Sequence, residues 1–382
     1  MRKRLHKAFV LFLILSVLCG CESAQPAQGV KIAVMGNPED FYPGYQEGIR
    51  RAVRDLNEEY AGSGYTVECE FYSDCGDYET GAAIIDTLAA DPSVTAVIGG
   101  VDMDINKTAA YIFNEARKPF VVPFFLYDSV YEDHYSYTLF SMCNSAKTVG
   151  VTLGFAAAGT DAKRWAVCAA QGEFERAEMH SFLRCSRLCG LTIVDCTGIS
   201  TLANRFDEVY RRWELLGVEG VVMFPSNNEG FDVLKKLKSR NPDMVCAGDS
   251  AFDNSSLMAN DKELLAAMAG FIMAGEFSMR SDGDEEEYNR LTAMTEEYMQ
   301  DTGEEFDTWY IQGYNAVRMI ADTALRNQVF DPESIALALR RDGYRGLCQE
   351  FRFDEKGLQA ETALTFSVTG EDGYAELYEF AD

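Results

Sequence analysis

Three histidines, His6, His134 and His180, make up the whole imidazole complement of this 382-residue chain. Acid–base or nucleophilic chemistry needs a positioned nucleophile beside a base. None of the GxSxG, HExxH or phosphate-loop spacings that supply such groups occurs in the sequence. Cys185 and Cys189 stand one helical turn apart near His180, a spacing that could hold a metal, but no second CxxC pair completes the ligand set. The run Asp282-Gly283-Asp284-Glu285-Glu286-Glu287 lacks the alternating ligands and closing glutamate of a calcium loop. It reads as a helix start, where negative charge is favoured. The expectation is a binding protein, not an enzyme, with no cofactor and no metal.

The N-terminus carries a second kind of chemistry. Arg2, Lys3, Arg4 and Lys7 precede an apolar run from Ala8 to Leu18. That run is shorter than the ~20 residues of a membrane span and has the length of a signal-peptide core. It ends at Leu18-Cys19-Gly20-Cys21, which resembles the lipobox of bacterial lipoproteins. The resemblance implies a signal peptide over residues 1–20, export, and diacylglycerol on Cys21, so that the protein is lipid-anchored to the outer face of the bacterial cytoplasmic membrane. Residues 21–29, rich in Ser, Ala, Gln, Pro and Gly, read as the tether.

Composition bounds the rest. With 47% hydrophobic and 12% aromatic residues the chain can fill two cores of ordinary size, and no other stretch could cross a membrane. The net charge of −27 becomes −31 once the four basic side chains of residues 1–20 are removed. Such a balance repels nucleic acid and anionic lipid surfaces, which excludes a DNA or RNA partner. Nine cysteines remain after Cys19 and Cys21, an odd number that cannot all pair internally. Cys168, Cys196 and Cys246 sit in apolar strand-like runs and read as buried free thiols.

From Val30 onward, short β-branched runs alternate with amphipathic segments, the pattern of parallel sheets covered by helices. Strands are expected at Val30–Met35, Tyr65–Tyr72, Val94–Ile98 and Pro119–Phe125, with helices at Gly44–Tyr60, Thr80–Ala90 and Ile105–Ala116 between them. A second set follows the helix Ala146–Ala158. Its strands are Trp165–Ala170, Leu191–Cys196, Gly220–Phe224 and Met244–Ala247, and its helices are Phe174–Cys189, Leu202–Leu216 and Glu229–Ser239. Further helices near Glu285–Asp301, Asp307–Arg326 and Pro332–Arg341 precede strand-like runs at Gln349–Phe353, Ala363–Val368 and Tyr374–Phe380. No Pro-, Gly- or Ser-rich linker separates the halves, so several crossovers are expected. The division is residues 30–144 plus 276–345 as lobe 1, and 145–275 plus 346–382 as lobe 2.

Four places then carry a family resemblance: Val30-Lys31-Ile32-Ala33-Val34 with the Gly48–Leu56 helix, Ala96-Val97-Ile98-Gly99-Gly100, Tyr314-Asn315-Ala316-Val317, and Phe351-Arg352-Phe353-Asp354-Glu355-Lys356-Gly357. In order and spacing they resemble the type I periplasmic binding proteins, in layout the leucine/isoleucine/valine-binding branch of ABC importers. The resemblance implies an α/β fold of two Rossmann-like lobes joined by a three-strand hinge and closing over a small polar ligand, an amino acid, an amide or a related compound. It implies ABC permease subunits as partners and a monomer. The alternative is a ligand-sensing lipoprotein of the same fold that signals to a membrane receptor or kinase.

On that layout, ligands sit beyond the carboxyl ends of the strands. The candidate ligand-binding residues are Phe41, Tyr42, Asp102, Tyr127 and Asp128 from lobe 1, and Phe174, Ser226, Asn227 and Asp249 from lobe 2. Asp249 matches the position where amino-acid-binding members keep an acid for the ligand ammonium group. Those members hold the ligand carboxylate with Ser and Thr hydroxyls in the two lobe-one loops, whereas this chain has Val101-Asp102-Met103 and Phe125-Leu126-Tyr127-Asp128. A cationic, amide-like or uncharged ligand therefore stands level with a branched-chain amino acid. Structural readings stay open beside these: Asp102 and Asp128 as helix or turn caps, Phe41 and Phe174 as packing between lobes, Asp249 as a solvated strand end.

Overall fold

The structure is a computed structural model and describes residues 28–37, 43–133, 136–253, 255–275, 285–304, 306–360, 364–368 and 375–377. The leader, the lipobox and most of the tether lie outside these residues. In chain order the first half runs β1 (Gln28–Met35), α1 (Pro43–Glu59), β2 (Tyr65–Tyr72), α2 (Tyr78–Ala90), β3 (Ala96–Ile98), α3 (Met103–Glu115), β4 (Phe120–Val122), α4 (Asp128–Asp133) and β5 (Leu139–Ser141). Next come α5 (Ala146–Ala158), β6 (Arg164–Ala169), α6 (Glu173–Leu188), β7 (Thr192–Gly198), α7 (Ile199–Asn204), α8 (Phe206–Leu216), β8 (Gly220–Phe224), α9 (Glu229–Arg240), β9 (Val245–Gly248) and a 3-10 turn (Ser250–Phe252). The chain continues with α10 (Ser255–Asn260), α11 (Lys262–Met268), β10 (Ile272–Gly275), α12 (Glu285–Thr302), α13 (Thr308–Asn327), α14 (Pro332–Asp342), β11 (Tyr344–Arg345), β12 (Glu350–Phe351), β13 (Leu364–Val368) and β14 (Ala375–Leu377).

Two sheets result. The first is ordered β2-β1-β3-β4-β5 and is parallel throughout. The second is ordered β14-β13-β10-β9-β8-β6-β7, with β13 and β14 antiparallel to their neighbours and the other strands parallel. Alternate residues of a strand face opposite sides, and the cores follow that rule. Val30, Ile32 and Val34 of β1 pack with α1, α13 and α14, while Ala33 and Met35 pack with α2 and α3. In β6, Trp165 and Val167 face α5 and α6, and Ala166 and Cys168 face α8 and α9. Both sheets are thus sandwiched, as the sequence pattern predicts for buried parallel strands.

The strand order reverses twice, between β2, β1 and β3 in one sheet and around β6 and β8 in the other. At such a switch point the loops leaving neighbouring strands diverge and open a crevice. In the first sheet the switch is kept tight by Gly100, where an added Cβ would fall 2.7 Å from the Met35 carbonyl oxygen.

Several expectations need correcting. The helix expected over Leu202–Leu216 is two helices, because Arg205 leaves the helical conformation between α7 and α8. Cys196 is exposed, not buried, because β7 is an edge strand of the second sheet, while Cys168 and Cys246 are buried. Besides the two-residue β11, strands β5 and β10 are additional to those expected. At three and four residues they are too short to show a period. The segment 346–360, expected with residues 346–382, packs on the first sheet instead. Leu347 and Phe351 belong to the core around β1 and α13, and the Gly357 carbonyl accepts from Ser141 N at 2.8 Å. Only β13 and β14 join the second sheet. Residues 276–284, between β10 and α12, and 361–363, before β13, lie outside the described residues.

Candidate functional site

The carboxyl ends of β4, β6 and β9 bring side chains from both sheets together. Phe125 follows β4, and Phe174 opens α6 directly after β6. Their rings lie 5.0 Å apart at 48°. Phe174 is buried and Phe125 half-buried. Beside them Ser129 Oγ donates to Glu173 Oε1 at 3.3 Å and Lys107 Nζ lies 3.2 Å from Ser129 Oγ. Lys107 Nζ also stands 5.8 Å from the centre of the Tyr127 ring. An aromatic pair and a short polar chain therefore cross from one sheet's loops to the other's.

One turn further along α6, Glu178 lies on the same face as Phe174, as i and i+4 residues do. It is 0% exposed, and neither carboxyl oxygen has a hydrogen-bond partner in good geometry. Burial first, and the adjacent Asp249 second, push its pKa well above the usual carboxylate range. Asp249 itself is buried at the end of β9 and accepts from Ala251 N at 3.1 Å, which caps the 3-10 turn. Helix α6 reaches this depth because Gly150 of α5 lets it approach. An added Cβ there would lie 2.2 Å from the Glu178 carbonyl oxygen.

The other predicted residues take more local roles. Asp102 is exposed and caps α3, accepting from Asp104 N at 2.8 Å and Ile105 N at 3.0 Å. Asp128 accepts from Ala146 N and Lys147 N, each at 3.1 Å, and so ties a loop of the first sheet to the start of α5. Burial raises its pKa against the lowering effect of those two amides. Ser226 and Asn227 form an exposed turn, where Asn227 Oδ1 accepts from Glu229 N at 2.9 Å at the head of α9. Tyr127 is half-buried, and burial raises its phenol pKa. Phe41 and Tyr42 lie outside the described residues.

Sequence reasoning named Phe174 and Asp249 and missed Glu178 and Phe125 as members of the same cluster. The signal for Glu178 was present in the spacing Phe174-x3-Glu178, a polar residue on the buried stripe of a helix. Cys185 and Cys189 sit with Sγ atoms 3.9 Å apart, and no group of three or more metal-ligating side chains occurs among the described residues. No helix among the described residues is long and apolar enough to cross a membrane.

A two-sheet α/β body with strand ends and an aromatic pair meeting between the sheets defines a cleft-binding architecture. A family model described as periplasmic binding protein matches residues 29–373, and the chain belongs to that family. An ABC transporter substrate-binding protein from Desulfitobacterium hafniense in complex with Leu has a TM-score of 0.76 at 20% identity, covering 92% of this chain and 100% of that one. The branched-chain amino acid transporter substrate binding protein LivJ from Streptococcus pneumoniae, in complex with isoleucine, reaches 0.73 at 16% identity over 92% and 99%. An ABC transporter solute binding protein from R. palustris in complex with benzoate reaches 0.72 at 14% identity over 91% and 95%. No curated protein matches the chain. Family membership makes this an extracytoplasmic protein that traps a small solute, on the type I fold that the sequence leads one to expect.

Proposed function

We propose that this chain is the solute-binding lipoprotein of an ABC importer. It carries a small polar ligand, an amino acid, an amide or a related compound, between two lobes that close over it, and it catalyses nothing. The observation that carries this reading is the meeting of Phe125 and Phe174, one from the loops of each sheet. Aromatic walls with a few placed polar groups suit a small organic ligand, and the relatives above hold leucine, isoleucine and benzoate. A ligand touching both lobes stabilises the closed form by the contacts it makes only there. Lobe 1 comprises residues 30–144 and 276–360 and lobe 2 residues 145–275 and 361–382. Tyr127, Ser226 and Asn227 border the cleft, and Asp102 and Asp128 shape its loops.

On this reading Cys21 carries the lipid, residues 21–29 form the tether, and the closed monomer docks on a permease. Cys21→Ser is expected to move the protein from the membrane fraction to the medium or periplasm, read by immunoblot; retention in the membrane would remove the anchor. The binding claim is tested by a thermal-shift screen of the intact chain in detergent against pools of amino acids, amides, polyamines, sugars and nucleosides. Binding to the folded state raises the melting temperature. A saturable rise from one class supports the reading, and no rise from any class overturns it.

A further inference from the structure

Beyond the cleft, we propose that a second cavity, walled by arginines of α12 and α13, binds hydrogen phosphate. The cavity measures about 230 Å³ and lies between α12, the second half of α13 and the residues around β11. That is room for a tetrahedral oxyanion and a few waters, since a water takes up ~30 Å³. It is not the cleft. Arg318 in its wall pairs with Glu59, the last residue of α1. Helix α1 has 17 residues and so carries Glu59 about 25 Å from the strand ends where the helix begins.

Two features define the ligand. The first is that four guanidiniums line the cavity, in a chain whose net charge is −27: Arg290 from α12, Arg318 and Arg326 from α13, and Arg345 from β11. Arg318 is engaged with Asp322 and Glu59, each at 3.0 Å, and Arg345 with Glu287 at 3.5 Å. Arg290 makes no ion pair among the described residues; it donates to the Tyr314 hydroxyl and lies 5.5 Å from the centre of that ring. Arg326 comes no nearer to a carboxylate than 3.8 Å, at Asp322. Glu286, the remaining acid of the wall, is exposed. Arg290 and Arg326 are thus left for a ligand, and the guanidinium fork matches the paired oxygens of a phosphate.

The second feature is an unpaired acceptor. Asp322 is 1% exposed, and while its Oδ2 holds Arg318 and Tyr344, its Oδ1 has no hydrogen-bond partner. A buried carboxylate oxygen left unpaired is costly, and only a donor satisfies it. A ligand set between these arginines and Asp322 must accept and donate at once. Hydrogen phosphate does both, its P–OH donating to Asp322 Oδ1 and its other oxygens accepting from Arg290 and Arg326. Sulfate has no proton to give. A phosphate monoester, with a second pKa of about 6, has lost its own at neutral pH.

The test is calorimetric titration of the intact chain in detergent, at neutral pH, with inorganic phosphate, sulfate and methyl phosphate. Phosphate is expected to bind saturably. Sulfate and methyl phosphate are expected to bind about tenfold or more weakly, because each leaves Asp322 Oδ1 unpaired. Arg290→Gln and Arg326→Gln are each expected to weaken phosphate binding about tenfold, the size of a lost charge-assisted hydrogen bond. Both side chains are exposed, so the melting temperature of each variant is expected to match wild type, which separates lost binding from lost folding. The solute returned by the thermal screen is expected to bind both variants as it binds wild type, since the cleft is a different site. Absence of saturable phosphate binding, equal binding of sulfate or methyl phosphate, or full phosphate affinity in both arginine variants overturns the proposal and leaves solute binding in the cleft untouched.

Discussion

Asp322 is almost wholly buried in α13, where Oδ2 accepts from Arg318 Nε at 3.0 Å and from the Tyr344 hydroxyl at 2.9 Å. Arg318 also reaches Glu59 at 3.0 Å, so a single buried cation joins α1, α13 and β11. Taking away one partner of a buried pair leaves the other charge uncompensated. Asp322→Ala is therefore expected to cost about 3 kcal/mol or more in urea denaturation, with Glu59→Ala costing far less because that carboxylate is exposed. A second residue-level effect concerns Asp253 and Asp307. Burial, the largest influence on both, raises their pKa values from 3.8 to about 6, and the Thr308 hydroxyl hydrogen-bonds Asp253 in opposition. A raised folded-state value means that the native form holds protons the unfolded chain has released between pH 3.8 and about 6. Stability must then fall as pH rises through that window. Capping acids with lowered values, such as Asp77 and Asp91, act in the opposite sense and only at lower pH. The melting temperature should be higher near pH 5 than near pH 7, and Asp253→Asn should narrow that difference. The acids show what sequence alone could carry: Asp102 as a cap was legible from its place before a helix, but the pairing of Glu178 with Asp249 joins residues 71 positions apart in the chain and needed the fold.

At the scale of elements, two close approaches position the cleft. Asn106 of α3 is fully buried, with Nδ2 donating to the Gly100 carbonyl at 2.6 Å and Oδ1 accepting from Gly100 N at 3.2 Å. It thereby clamps the loop after β3. Asn106→Ala should cost about 1–3 kcal/mol, the penalty for orphaning buried backbone groups, measurable by chemical denaturation. The second approach is α5 on α6. Gly150→Val would drive its side chain into the Glu178 carbonyl and should destabilise by about 1–3 kcal/mol or more, as overpacking does. Long elements were legible because their periods repeat: Tyr65–Tyr72, Gly220–Phe224 and Ala146–Ala158 fall where the pattern puts them. The short strands β5 and β10 were not, since three or four residues hold no period and their place is fixed by neighbouring strands. The break at Arg205 was hidden because the apolar stripe continues through Leu202, Val209 and Trp213 on both sides of it.

At the scale of the molecule, the crossings could be anticipated but not located. Helices α12 to α14 return to the first sheet, as the sequence suggests, because Tyr314, Val317 and Ile320 complete the core over β1. Nothing local marks where residues 346–360 belong. Leu347 and Phe351 are apolar residues that either sheet could bury. The net charge of −27 makes the chain repel anionic lipid headgroups. The central claim is that one solute is held by groups from both lobes at once. Its most direct test is calorimetric titration of the solute returned by the thermal screen into wild type, Phe125→Ala, Phe174→Ala and the double variant. The account predicts that each single change weakens binding about tenfold and that the two losses are not additive, because the rings act as one wall. Unchanged affinity in both single variants would contradict it and place the solute elsewhere on the protein.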